Sequence, residues 1–85
     1  MQQMFIDYLR YEKNMSPETT RAYEKDLAQF IEYISPDKPF QPQTITNATV
    51  RQYLAHLGDR SYEKSTIVRK LATIRSFFKF LIRKG

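Results

Sequence analysis

The chain has 85 residues and a formal charge of +5, from 14 Lys and Arg against 9 Asp and Glu, so we expect one small basic domain. It contains no cysteine and one histidine, which excludes a disulfide framework and a multi-ligand zinc site. No metal and no cofactor are therefore expected. No apolar run approaches the ~18 residues of a membrane span, and no signal-peptide pattern opens the chain, so we expect a cytoplasmic protein without a membrane partner.

All of the net positive charge lies in the second half of the chain. Residues 1–42 hold 5 basic and 7 acidic side chains, whereas residues 43–85 hold 9 basic and 2 acidic ones. Clustered Lys and Arg suit a polyanionic partner, which is either nucleic acid or anionic lipid. Charge alone does not choose between them.

Two helices are predicted in the first half of the chain. Phe5, Tyr8 and Leu9 recur at helical spacing and predict a first helix over roughly 2–13. Ser16-Pro17 is a helix start, because the serine oxygen accepts from a first-turn amide and proline suits the first position. The second helix is predicted over 17–34, and its apolar stripe consists of Tyr23, Leu27, Phe30, Ile31 and Ile34.

The second half predicts a stiff connector followed by two more helices. Three prolines between residues 36 and 42 prevent helix continuation. Thr46 or Asn47 begins a third helix over roughly 47–57, and Gly58 suits the left-handed position after it. A fourth helix is predicted over roughly 63–84, ending at Gly85, with the stripe Ile67, Leu71, Ile74, Phe78 and Leu81. No strand pattern occurs, so the predicted fold is all-α, with four helices in a single domain over 1–85.

The outward face of the fourth helix carries the candidate binding residues. At 100° per residue, the positions opposite the stripe are Ser65, Arg69, Ala72, Thr73, Ser76 and Arg83. Arg75 and Lys79 flank this face on one side, and Lys70 and Lys84 flank it on the other. Small residues allow a helix to enter the ~12 Å major groove of DNA, while Arg and Lys reach phosphates or guanine edges. The alternative is an ordinary solvated face.

Two other features have two interpretations each. Arg21 and Lys25 lie one turn apart on the second helix and suit a phosphate, but nearby acidic residues could make them surface ion pairs instead. Those acidic residues are Glu18, Glu24, Asp26 and Glu32. Phe77 and Phe80 lie off the predicted stripe and either widen the core toward the first helix or dock a neighbour. No active site is visible, and no catalytic residue is predicted.

Several segments together resemble a known family. They are Ser16-Pro17-Glu18-Thr19 with Tyr23, Asp26-Leu27 and Phe30; Ile45-Thr46 with Tyr53-Leu54; and Thr66-Ile67, Arg69-Lys70-Leu71 and Ile74-Arg75-Ser76-Phe77-Phe78. In order and spacing they are similar to the N-terminal SAM-like core-binding domain of tyrosine recombinases, the phage integrases and Xer-like enzymes. The likeness runs from Phe5 to Gly85. At Thr49 the family often has an acidic residue.

The resemblance implies an orthogonal SAM-like bundle whose second and fourth helices face the major groove of a recombination half-site. It implies double-stranded DNA as partner, other recombinase protomers in a synaptic complex, with Phe5 and Tyr8 as candidate contacts, and a monomeric isolated domain. It places the catalytic domain after Gly85, so this chain is expected to be non-catalytic. The combined candidate DNA-binding residues are Thr19, Arg21, Lys25, Lys64, Ser65, Thr66, Arg69, Lys70, Thr73, Arg75, Ser76 and Lys79.

Three rival functions remain at this point. The first is a helical protein-interaction module whose basic face binds an acidic protein. The second is a membrane-surface module, which is disfavoured because the core needs the apolar stripe. The third is a helix-turn-helix repressor, which is disfavoured because residues 60–65 lack a tight glycine turn.

Overall fold

The computed structural model describes residues 2–84, and within them it confirms the all-α prediction with four α-helices and no strand. The helices are α1 (Gln2–Tyr11), α2 (Pro17–Ile34), α3 (Asn47–Asp59) and α4 (Lys64–Lys84). A short 3₁₀ turn, which was not predicted, covers Pro42–Thr44 in the connector. The predicted stop at Gly85 lies outside the described residues.

Local sequence signals start α2 and α3 where expected. Ser16 Oγ accepts a hydrogen bond from the Thr19 amide, and Pro17 occupies the first helical position. At α3, Thr46 Oγ1 accepts from the Thr49 amide while Thr49 Oγ1 accepts from the Thr46 amide, which forms a reciprocal capping box. The threonine at 49 therefore performs the role that an acidic residue often fills.

The end of α3 differs from the prediction. Gly58 is still helical, and Ser61 instead takes the left-handed conformation, with φ 63°. The Ser61 amide donates to the Gly58 carbonyl, and the Tyr62 amide donates to the Leu57 carbonyl. This is the Schellman arrangement, which an apolar contact across the turn commonly accompanies. Leu57 and Tyr62 both pack into the same apolar cluster, so core packing extends α3 by two residues beyond the predicted end.

The core consists of two apolar clusters that share the connector residue Phe40. The first joins α1, α2 and α4 through Phe5, Ile6, Leu9, Leu27, Phe77 and Phe80. The second joins α2, α3 and α4 through Phe30, Tyr53, Leu57 and Ile74. Helix α4 therefore packs against each of the other three helices, which leaves only its outer side to solvent.

The buried face of α4 is rotated relative to the predicted stripe, toward α1 and α2. Its buried residues are Lys70, Thr73, Ile74, Phe77 and Phe80, whereas Ile67, Leu71, Phe78 and Leu81 are only partly buried. The rings of Phe5 and Phe77 meet edge to face at 5.3 Å. The interpretation of Phe77 and Phe80 as core contacts with the first helix is thus confirmed. Phe5 is fully buried, so it is not exposed as the predicted protomer contact.

Candidate nucleic-acid interface

A buried carboxylate joins α2 to α4. Asp26, on α2, is 2% exposed, and both of its oxygens accept hydrogen bonds from α4. Arg69 binds it in a bidentate manner, with Nε 2.9 Å from Oδ2 and Nη2 3.0 Å from Oδ1. Lys70 Nζ lies 2.9 Å from Oδ1, and Thr73 Oγ1 lies 3.1 Å from Oδ2. Four donors thus satisfy the acceptor capacity of this carboxylate.

The network extends from Lys70 toward the start of α4. Lys70 Nζ also donates to the Gln29 side-chain carbonyl, and Gln29 Nε2 donates to the Tyr62 hydroxyl at 2.8 Å. The same ammonium lies 5.2 Å from the centre of the Tyr62 ring, within the range of a cation–π contact. The buried Lys70 ammonium is therefore held by the Asp26 carboxylate, the Gln29 side-chain amide and the Tyr62 ring.

Burial and charge oppose each other at Asp26. Burial by itself raises the pKa of the Asp26 carboxyl, but the hydrogen bonds and positive charges of Arg69 and Lys70 outweigh it and hold that pKa below its ordinary value. The same hydrogen bond to Asp26 raises the pKa of Arg69. The lowered pKa of Asp26 and the raised pKa of Arg69 both favour the ion pair between these two side chains.

A second buried polar atom lies in the neighbouring apolar cluster and has no such partner. The Tyr53 hydroxyl makes no hydrogen bond to any part of the chain that the structure describes. Burial, with smaller contributions from Tyr62, Asp26 and Tyr33, raises the pKa of Tyr53 to about 12. The ring itself packs edge to face on Phe30 at 5.1 Å.

We expect Tyr53→Phe to raise the free energy of unfolding by about 1 kcal/mol, because it removes a buried unsatisfied hydroxyl and keeps the ring. Tyr62→Phe is the matched control. It should lower the free energy of unfolding by about 0.5–1.5 kcal/mol, because the Tyr62 hydroxyl accepts from Gln29. Urea unfolding of both variants measures the difference, and a loss in Tyr53→Phe equal to that in Tyr62→Phe would contradict it.

Two of the predicted site residues are buried, although the sequence analysis expected them at the surface. Thr73 was expected opposite the core and Lys70 on an exposed flank, but Thr73 is 0% exposed and the Lys70 side chain is 7% exposed. The physical reason is Asp26, which supplies both with a buried partner. Arg69 is exposed, as the sequence predicts, with 44% of its side chain accessible, but its guanidinium is bound to Asp26.

The remaining candidates lie at or near the surface. Exposed residues are Thr19, Arg21, Lys25, Lys64, Ser65, Arg75 and Lys79, and partly buried ones are Thr66 and Ser76. The ion pairs among the described residues all involve Asp26, so neither Arg21 nor Lys25 has an acidic partner within the described chain. The surface ion-pair interpretation of Arg21 and Lys25 is therefore wrong.

Tertiary packing brings six of the cations into two clusters. The first, the α2–α4 cluster, consists of Arg21, Lys25 and Arg69, which line one cleft together with Glu18. The second, the α3–α4 cluster, consists of Arg51, Arg75 and Lys79, which line a groove with an apolar floor. No acidic side chain lines that groove within the described chain.

Sequence reasoning missed Asp26 as a network centre and Arg51 as a cluster member. Asp26 directly precedes Leu27 of the apolar stripe, and this position beside the core is the sequence signal that could have identified it. Arg51 directly follows Val50 on α3, where it has no distinguishing neighbour in sequence. Its proximity to Arg75 and Lys79 arises only when α3 packs on α4.

Residues 3–85 match the family described as phage integrase, N-terminal SAM-like domain. The chain belongs to this family. The SAM-like domain is 37% identical over 85 residues to tyrosine recombinase XerC of Listeria innocua serovar 6a, covering 100% of this chain and 28% of that protein. It is 43% identical over 81 residues to XerC of Natranaerobius thermophilus, covering 94% of this chain and 27% of that protein.

The resemblance identified from the sequence is thereby confirmed, and the SAM-like domain spans little more than a quarter of these curated relatives' length. No solved structure gives a significant match to it. Between residues 2 and 84, no helix combines the length and the apolar character needed to cross a bilayer. The same residues contain no group of three or more His, Cys, Asp or Glu side chains that could hold a metal ion.

Proposed function

We propose that this domain binds double-stranded DNA for a tyrosine recombinase, with the outer side of α4 in the major groove and a cation cluster on each flank. The observation that carries the proposal is the pair of cation clusters. Arg69 lies on the side of α4 that meets α2, and Arg75 and Lys79 lie on the side that meets α3. Phosphates border the major groove on both sides, and such contacts supply most of the affinity and fix the orientation of the protein.

The strip of α4 between the two clusters supports this orientation. At 100° per residue, Ser65, Ala72 and Ser76 fall between Arg69 and Lys79. None of the three has a side chain long enough to hold the helix away from base edges. Lys64 and Val68 add a cation and an apolar group, and Val68 is 59% exposed. An apolar side chain at such a position suits the methyl group of thymine.

The chemistry of recombination belongs to the parent protein in this proposal. The names of the relatives imply a recombinase, and the chain covers about 28% of their length. A catalytic domain after Gly85, a cytoplasmic location and contacts with other recombinase protomers are accordingly part of the proposal. The 85-residue chain has the role of binding and orientation, without catalysis of its own.

We expect the two clusters to act as separate phosphate contacts. For phosphate contacts, log K falls with log salt by about 0.9 per cation involved. The double variants Arg21→Ala/Lys25→Ala and Arg75→Ala/Lys79→Ala should each bind duplex DNA more weakly, with a slope shallower by about 1.8. Fluorescence anisotropy with a mixed-sequence duplex, titrated over a range of salt concentrations, measures both quantities.

Lys13→Ala is the control, because Lys13 follows α1, outside both clusters, and stacks over the Tyr8 ring. The DNA affinity of Lys13→Ala and the salt dependence of its binding should match those of the parent chain. Equal losses in Lys13→Ala and in the cluster variants would contradict the proposed interface. Binding of polyglutamate with no retention of duplex DNA would instead favour the rival function, a module that binds an acidic protein through the basic face.

A further inference from the structure

Asp26 lies beneath the α2–α4 cluster and fixes the orientation of one of its cations. Its carboxylate is buried, yet it binds Arg69 through Nε and Nη2 and leaves Nη1 outside the bidentate pair. Nη1 makes no hydrogen bond to another described residue, and the Arg69 side chain remains 44% exposed. The cleft into which this side chain projects is also lined by Arg21 and Lys25.

We infer that Asp26 is a positioning residue for DNA binding, which holds the Arg69 guanidinium in the orientation that meets a phosphate. This inference rests on the proposed function. An arginine fork bound on one edge has already lost most of its rotamer freedom, so less entropy is lost when its free edge binds an anion. Immobilising one long side chain on binding typically reduces affinity by about 3- to 10-fold, and Asp26 removes that loss.

Positioning and simple electrostatics predict opposite signs for one substitution. Asp26→Asn removes a negative charge from beneath a cation cluster, so charge alone predicts tighter DNA binding and a steeper salt slope. Loss of the bidentate carboxylate, however, frees the Arg69 side chain. If Asp26 positions Arg69, the Asn variant binds duplex DNA about 3- to 10-fold more weakly in spite of its higher net charge.

Glu18→Gln supplies the matched control for charge. Glu18 is exposed, lines the same cleft and bonds to neither Arg69 nor Lys70. Its neutralisation should strengthen binding to the same duplex. Opposite directions for Glu18→Gln and Asp26→Asn would support the inference. Equal strengthening in both variants would overturn it.

Arg69→Lys tests the same contact without changing the charge, and it serves if Asp26→Asn does not fold. Lysine cannot make the bidentate pair, so the variant should lose about 3- to 10-fold in affinity. Circular dichroism confirms that each variant is folded at the temperature of the titration. An NMR spectrum of the arginine Nε–H groups should show a protected Arg69 signal in the parent that is lost in Asp26→Asn.

The experiment uses the 85-residue chain and the same salt titration with a mixed-sequence duplex, and its outcomes separate the two proposals. Weakening by Arg75→Ala/Lys79→Ala together with parent-like binding by Arg69→Lys overturns the positioning role alone. Absence of DNA binding by the parent chain overturns both. Weaker binding by Asp26→Asn and by Arg69→Lys, with tighter binding by Glu18→Gln, is the result that we expect.

Discussion

Asp26→Ala is expected to lower the free energy of unfolding by about 3–5 kcal/mol, because it leaves the Lys70 ammonium buried without a counter-charge. The Lys70 side chain is only 7% exposed, so little water compensates for the lost carboxylate. Arg69 contributes less to this loss, because its half-exposed side chain regains hydration. For a domain of 85 residues, whose total stability is about 4–13 kcal/mol, such a loss leaves a marginal fold.

A second variant distinguishes the destabilising effect of the unpaired buried charge from the effect of losing the volume that Asp26 fills. In Asp26→Leu/Lys70→Met no unpaired charge remains buried, and apolar groups occupy the positions, so most of the lost stability should return. Urea unfolding followed by circular dichroism measures both variants. A double variant as unstable as Asp26→Ala would show that the hydrogen-bond geometry, and not the unpaired ammonium, dominates.

The pH dependence of the same pair has a definite sign. The folded-state pKa of Asp26 is lowered from its ordinary value of 3.8, so its contribution is fully present above that value and is lost as the pH falls below 3.8 through the folded pKa. The difference in stability between the parent and Asp26→Ala should therefore be constant around neutral pH. It should shrink once the pH falls below about 3.8.

Phe77→Ala is expected to lower the free energy of unfolding by about 3–5 kcal/mol, the range for truncating a buried aromatic ring. Phe77 is 0% exposed, and its ring meets Phe5 at 5.3 Å, Phe78 at 5.6 Å and Phe40 at 6.2 Å. These contacts join α1 and the connector to α4. The surrounding helices cannot close over the space of a whole ring, so a cavity remains.

Phe78→Ala is the natural comparison, because the apolar pattern alone assigns Phe78 to the core and Phe77 to its edge. Phe78 is only partly buried, so its loss should be smaller, about 1–2 kcal/mol. Thermal and urea unfolding of the two variants under one condition rank them. If Phe78→Ala were the more destabilising, the buried face of α4 would be the one that the stripe predicts.

Much of the fold was accessible from the sequence because its signals are local. The caps at Ser16 and Thr46 act within three residues, and the prolines after residue 35 stop a helix whatever else is nearby. The candidate site was accessible only in part. Charge counting found Arg21, Lys25, Arg75 and Lys79, all of which are exposed. It could not identify which cations are neutralised inside the fold.

The sequence by itself therefore determined the four helices, the start signals of α2 and α3, and the excess of cations on α4. Only the tertiary structure decided which side of α4 is buried and which of its cations are free. The physical reason is that burying a charged side chain costs free energy unless a hydrogen-bonding partner is buried with it. That partner, Asp26, precedes Arg69 by 43 positions and Thr73 by 47, a separation that no helical periodicity spans.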